Sequence, residues 1–177
     1  MIRILAVPVL FVLLYDKHQP RDEIWAAIIF GIAFFTDYFD GWIARRTKSI
    51  TRLGRVMDPL ADKLMVLAAL IILVDLHRVH VFVAVALLGR ELTVSGLRDI
   101  AAIEGIQIPS RFSAKAKTMF EGFGLGFLIS GSDLQILGFE IMDVGNILVW
   151  IALILAFWSA GFYFRDYIRT TPRPPSP

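Results

Sequence analysis

The sequence contains no cysteine and only three histidines. Disulfides, thiolate zinc sites and cysteine nucleophiles are therefore excluded, and the redox compartment cannot be read from it. Charge is also scarce, at 19% of residues, where a soluble globular domain carries about 25%. A net charge of +2 is too small to argue for a nucleic-acid partner, and no internal repeat is visible. What the chain has in excess is apolar surface: 56% of its 177 residues are hydrophobic and its mean hydropathy is +0.66. The length suits one domain, and the composition places that domain in lipid.

A bilayer span needs about 20 mostly apolar helical residues. Six candidates are present: Met1–Tyr15, Glu23–Arg46, Val56–Leu76, Val79–Ala102, Ala114–Ser130 and Val144–Ile168. Met1–Tyr15 lacks a small-residue cleavage site before the Asp16–Glu23 segment, so it reads as a retained span rather than a signal peptide. Pro8 inside it is tolerated, as prolines are in membrane helices. The connecting segments alternate in charge. Arg45, Arg46, Lys48, Arg52 and Arg55 fall between spans two and three; Arg98, Arg111, Lys115 and Lys117 flank the link between spans four and five; Arg165, Arg169 and Arg173 lie near the end. The other links are poorer in base, and the last has Asp133, Glu140 and Asp143 with no base at all. Basic loops stay cytoplasmic. The expected fold is thus an all-α integral membrane protein of six transmembrane helices with both termini in the cytoplasm. It comprises a membrane domain over residues 1–169 and a disordered, Pro-rich tail over 170–177.

Charged groups within such segments are costly and mark function by default. Asp37, Asp40, Asp58 and Asp62 bracket the basic loop between spans two and three. Residues three or four apart share a helix face, so each pair of aspartates lies on one face. A short loop joins antiparallel neighbours, which brings the four carboxylates together. Bare, they would repel one another and be costly to desolvate. A hard divalent cation such as magnesium, held jointly by carboxylates and substrate phosphates, removes that cost. The absence of Cys, and of His nearby, argues against zinc. Gly41 and Ala44 follow Asp37 on its helical face, and Gly54 precedes Asp58 by four residues. Small side chains there let a ligand approach the backbone, and Arg45 supplies a fixed cation for a phosphate.

The stretch reads Asp37-x-x-Asp40-Gly41-x-x-Ala44-Arg45-x8-Gly54-x3-Asp58-x3-Asp62, and its eight fixed positions all resemble the signature of the CDP-alcohol phosphatidyltransferase family. The chance of such a match at one start position is on the order of 10⁻¹⁰ at ordinary residue frequencies. Three further segments are similar to those of the phosphatidylglycerophosphate synthase branch: Asp58-Pro59-Leu60-Ala61-Asp62-Lys63, the run Arg90-Glu91 through Arg98, and Lys115-x-Lys117-Thr118. The resemblance extends from Arg3 to about Arg169. Relatives usually begin with an Asn-x-Leu-Thr-x-x-Arg segment, of which only Arg3 is matched here. A truncated start or a missing interfacial helix is therefore expected, with an altered edge to the substrate pocket.

The resemblance implies six membrane helices in a homodimer of the bacterial plasma membrane, with the active site facing the cytoplasm. It implies two Mg2+ or Mn2+ ions, with Asp37, Asp40 and Asp58 as first ligands and Asp62 as general base and further metal ligand. Asp37, Gly41, Ala44, Arg45 and Gly54 would hold the CDP moiety of CDP-diacylglycerol. The Arg-Glu segment points to glycerol 3-phosphate as acceptor; inositol phosphate and phosphatidylglycerol are the alternatives within the family. Arg98 and Lys117, then Arg90, Arg111 and Lys115, are the candidates for the acceptor's phosphate. Blander roles compete. Arg46, Lys48 and Arg52 suit a topology signal, Arg90 with Glu91 suits a buried ion pair, and Glu121 suits pairing with a cation across the bundle. Gly122, Gly124 and Gly126 suit close helix packing. A transporter is the rival of another class, but the acids cluster at one membrane face and no inverted repeat is seen.

Overall fold

In the computed structural model the backbone is described for residues 2–15, 20–47, 52–106, 112–131, 135–136 and 138–170, and side chains for 3–14, 21–36, 60–61, 63–106, 112–131, 135 and 138–170. Helix dominates: α1 (Ile2–Tyr15), α2 (Pro20–Thr47), α3 (Arg52–Asp75), α4 (Val81–Ile103), α5 (Phe112–Ile129) and α6 (Ile141–Thr170). Each overlaps one expected span; α2, α3 and α6 run beyond theirs, whereas α4 starts two residues later than expected and α5 ends one residue earlier. α2 starts at Pro20, ahead of the expected Glu23, and carries Asp22 and Glu23 in its first turn. Proline suits a first helical position because its missing N–H would be unsatisfied there anyway, and the two acids complement the helix dipole. One feature departs from an all-helical reading. Gln135–Ile136 (β1) pairs antiparallel with Phe139–Glu140 (β2), the turn between them passing through Gly138 at φ +84.

Burial follows helical spacing. α1 buries Ala6, Leu10 and Leu14; α2 buries Ala26, Phe30 and Ala33; α3 buries Ala61, Met65, Ala69 and Leu73. These stripes meet in one core, to which α4, α5 and α6 add Leu87, Leu125, Leu128, Val149 and Ala156. α1 packs on both α2 and α3, α2 on α5, α4 on α6, and α5 most extensively on α6. The outer faces are apolar too: Leu5 is 69% exposed and Ile154 66%. Surface of this kind, repeated on every helix, is what a monomer in water avoids. Among the described residues only Ile141–Thr170 is by itself both long and apolar enough to cross a membrane. α1, at 14 residues, measures about 21 Å against a hydrocarbon core of about 30 Å.

Contacts between distant residues order the two ends of the bundle. Arg3 donates from Nε to the Ala33 carbonyl oxygen, 3.2 Å, and Tyr167 donates to Glu104, 3.0 Å. The start of α1 therefore lies beside the middle of α2, and the end of α6 beside the end of α4. At the opposite end Arg78 pairs with Glu23 and donates to the Leu128 and Ile129 carbonyl oxygens at 3.0 and 3.3 Å. One guanidinium thus closes the last turn of α5 and ties it to the start of α2.

The α5 glycines show why α5 and α6 approach so closely. A Cβ on Gly124 would lie 2.8 Å from Val149 Cγ2 and 3.1 Å from the Gly145 carbonyl oxygen. One on Gly122 would run into the Phe34 ring, whereas one on Gly126 would sit a comfortable 3.8 Å from Phe30. Gly124→Val is accordingly expected to destabilise the protein by about 1–3 kcal/mol through overpacking. Gly126→Ala should be neutral or slightly stabilising, since alanine is the better helix former. Thermal unfolding in detergent tests this, and the reverse order would refute the packing.

Candidate active site

The aspartate signature is carried by two helices. Positions 37, 40, 41, 44 and 45 belong to α2 and positions 54, 58 and 62 to α3. The side chains of Asp37, Asp40, Ala44, Arg45, Asp58 and Asp62, with Gly41 and Gly54, lie outside the described residues, as does Arg111. Their immediate surroundings are described. Arg3 is buried, 8% exposed, and its guanidinium also donates to the Phe34 carbonyl oxygen, 3.4 Å. The turn of α2 just before the signature is thus clamped to α1. On α3, Ala61 is buried while Leu60 and Leu64 are about half exposed. Among the described residues, no group of three or more Asp, Glu or His could hold a metal ion.

A second polar assembly lies between α4, α5 and α6. Arg90 is buried and uses three donors. Its Nε donates to the Ala156 carbonyl oxygen, 2.9 Å, Nη2 to Ser159 Oγ, 2.5 Å, and Nη1 to Glu91 Oε2, 3.1 Å. The same Glu91 oxygen accepts from Lys117 Nζ at 2.7 Å. Lys117 also meets Glu121, one turn later on α5, at 2.6 Å. Two cations and two carboxylates make a neutral quartet, which is the condition under which charge is tolerated away from water.

A groove of about 350 Å³ opens beside the quartet, walled by Leu60, Leu64 and Leu67 of α3 and Leu87, Leu88 and Leu92 of α4. Its polar lining is Lys63, Glu91, Lys117, Thr118 and Glu121. The structure therefore gathers two of the expected acceptor-phosphate cations, Arg90 and Lys117, and sets Arg98 and Lys115 apart on exposed surface. Glu121, expected to pair with a cation across the bundle, meets Lys117 one turn earlier on its own helix. Glu91 as the hub and Ser159 as a partner were not expected from the sequence. The Lys117–Glu121 spacing of four residues was the signal available.

Apolar outer faces on every helix, with ionised groups gathered inside the bundle, are the build of a membrane-embedded helical enzyme. Comparison with known proteins carries this to a family. The family model for CDP-alcohol phosphatidyltransferase matches residues 1–158, and the chain belongs to that family; it is an enzyme of the membrane. The chain is 37% identical over 164 residues to the CDP-diacylglycerol–glycerol-3-phosphate 3-phosphatidyltransferase of Rickettsia typhi, covering 92% of this chain and 90% of that protein. The proteins of the same name from Bacillus subtilis and Haemophilus influenzae are each 34% identical. The former match covers 84% of this chain and 76% of the relative, the latter 92% and 87%.

Proposed function

We propose that the protein transfers the phosphatidyl group of CDP-diacylglycerol to sn-glycerol 3-phosphate, giving phosphatidylglycerophosphate and CMP. The observation that carries this is the complete aspartate signature on α2 and α3 in a chain whose relatives across most of its length are named for that reaction. The acceptor oxygen bonds to the phosphatidyl phosphorus as the bond to the CMP phosphate oxygen breaks. Asp62 is the base for the acceptor hydroxyl, a role that requires it to reach that proton. Gly41, Ala44, Arg45 and Gly54 form the seat of the CDP moiety.

The donor set suits Mg2+ or Mn2+. Asp37, Asp40 and Asp58, with Asp62 beside them, are all hard oxygen ligands, on two helices that both pack against α1. The buried register of α2, through Phe30 and Ala33, reaches positions 37 and 40 when carried forward at the same spacing. That of α3, through Ala61 and Met65, reaches position 58 when carried back. Two ions bound there would neutralise charge on the diphosphate and orient the attacking and leaving oxygens.

We further propose six membrane spans with both termini and the active site on the cytoplasmic side, in a homodimer. The base-rich links support this topology, as does the end of α6 beside the end of α4. Arg98, exposed on α4 two turns beyond Glu91, is proposed to meet the acceptor's phosphate from there. Arg98→Ala is expected to raise the KM for glycerol 3-phosphate several-fold and leave that for CDP-diacylglycerol nearly unchanged; equal effects on both would remove it from the pocket.

The defining experiment is CMP release from CDP-diacylglycerol by the purified protein in detergent with magnesium or manganese. Glycerol 3-phosphate, inositol phosphate and phosphatidylglycerol are offered separately. Metal-dependent release with glycerol 3-phosphate alone is expected. Release with another acceptor would retain the chemistry and replace the substrate.

A further inference from the structure

We infer that Glu91 is an internal stand-in for the acceptor's phosphate: it holds Arg90 and Lys117 at anion-binding positions and yields them when substrate arrives. The inference rests on the proposed reaction for the identity of the anion and on the quartet's geometry for the rest.

Two cations from different helices converge on one oxygen, Glu91 Oε2. That is the arrangement a phosphate oxygen would otherwise complete. The four groups are not equally fixed. The side chains of Arg90, Lys117 and Glu121 are 6, 4 and 4% exposed, whereas that of Glu91 is 35% exposed and lines the groove. Glu91 is the member with room to turn away. When it does, both cations keep their places, because Arg90 stays bonded to Ala156 and Ser159 and Lys117 to Glu121. What changes is the charge. Lys117 at the groove and Arg90 behind the vacated Glu91 position then carry two positive charges against the one carboxylate of Glu121, and an anion restores the balance. The leucine walls make the surroundings of this exchange apolar, which strengthens it. Until substrate comes, Glu91 spares the bundle an uncompensated buried charge.

The test compares wild type with Glu91→Gln, which keeps the side chain's shape and an acceptor oxygen but removes its charge. Binding of sn-glycerol 3-phosphate and of inorganic phosphate is measured by calorimetry on purified protein in detergent. Thermal unfolding with and without each anion, and the KM of both substrates, complete the comparison. Removing a competing charge-assisted hydrogen bond should tighten binding of the acceptor about fivefold or more. Phosphate should raise the Tm of the variant more than that of wild type, and the KM for CDP-diacylglycerol should hold. Unchanged or weaker acceptor binding in a folded variant overturns the inference, leaving Glu91 as a fixed ion-pair partner or a group that contacts the acceptor directly. Should Glu91→Gln not fold, Glu91→Asp, whose carboxylate is one methylene short of the two cations, is read by the same criteria. A wild type that releases no CMP with glycerol 3-phosphate brings down the proposed function. A wild type that does, beside a variant with unaltered acceptor affinity, brings down only the role of Glu91.

Discussion

Asp62→Asn should leave a folded membrane protein whose turnover is lower by about 10²–10⁴-fold, the contribution of a positioned general base. Asp58→Asn should fall at least as far. The two substitutions keep side-chain volume and hydrogen-bonding capacity and remove one negative charge each. If the four aspartates are a ligand set, the loss of charge matters far more to reaction than to folding, because the bare cluster repels itself. Helical circular dichroism and elution as a single species check the fold, and CMP release checks the rate. The metal dependence separates the two roles. Raising magnesium or manganese should recover part of the activity of Asp58→Asn, whose defect is weakened binding of an ion. It should recover none for Asp62→Asn if that residue acts only on the acceptor's proton; recovery there would make Asp62 a ligand. Rates like wild type in either variant would sink the assignment of the signature to catalysis.

The helices were legible because hydropathy and helical spacing agree along nearly the whole chain. Their ends were less so. A window of apolar residues reports contact with lipid, whereas the hydrogen-bond ladder runs on through Pro20, Arg52 and Ile141, which such a window leaves out. The small β1–β2 ladder was invisible for a related reason: two residues a side give no alternation to read. The aspartate signature was legible because its information lies in fixed spacing along two neighbouring helices. The quartet was not, because its partners are distant in sequence. Arg90 and Ser159 are 69 positions apart and Lys117 and Glu91 are 26. Adjacent residues such as Arg90 and Glu91 do not face one another on a helix, so their adjacency gave no hint that one oxygen of Glu91 would collect both cations. The sequence did offer Arg90 with Glu91 as an ion pair and Glu121 as a cation's partner, but not Lys117 as the cation that joins the two acids.

That pairing makes Lys117 the residue whose loss should cost the most stability. Lys117→Met keeps the length of the apolar stem and removes the ammonium from two carboxylates, one of them, Glu121, only 4% exposed. Breaking a buried ion pair by deleting one partner costs about 3–5 kcal/mol, because the other charge stays behind. The matching change at the exposed Lys115, two residues away, should stay within about 0.5 kcal/mol. Adding Glu121→Gln to Lys117→Met should return a large part of the loss, since a neutral amide tolerates burial that a carboxylate does not. Thermal unfolding in detergent measures all three variants. Full recovery in the double variant would show that the cost lies in the stranded charge rather than in lost packing. A Lys117→Met protein as stable as wild type would mean that the quartet contributes nothing to the bundle. The functional consequence follows from the same contacts. Lys117 is anchored by Glu121 on its own helix and reaches Glu91 on α4, so the double variant, although folded, still lacks one of the two cations that Glu91 bridges. Its stability and its acceptor affinity should therefore part company, stability recovering while the KM for glycerol 3-phosphate stays high. Recovery of both together would place the acceptor's phosphate elsewhere in the bundle.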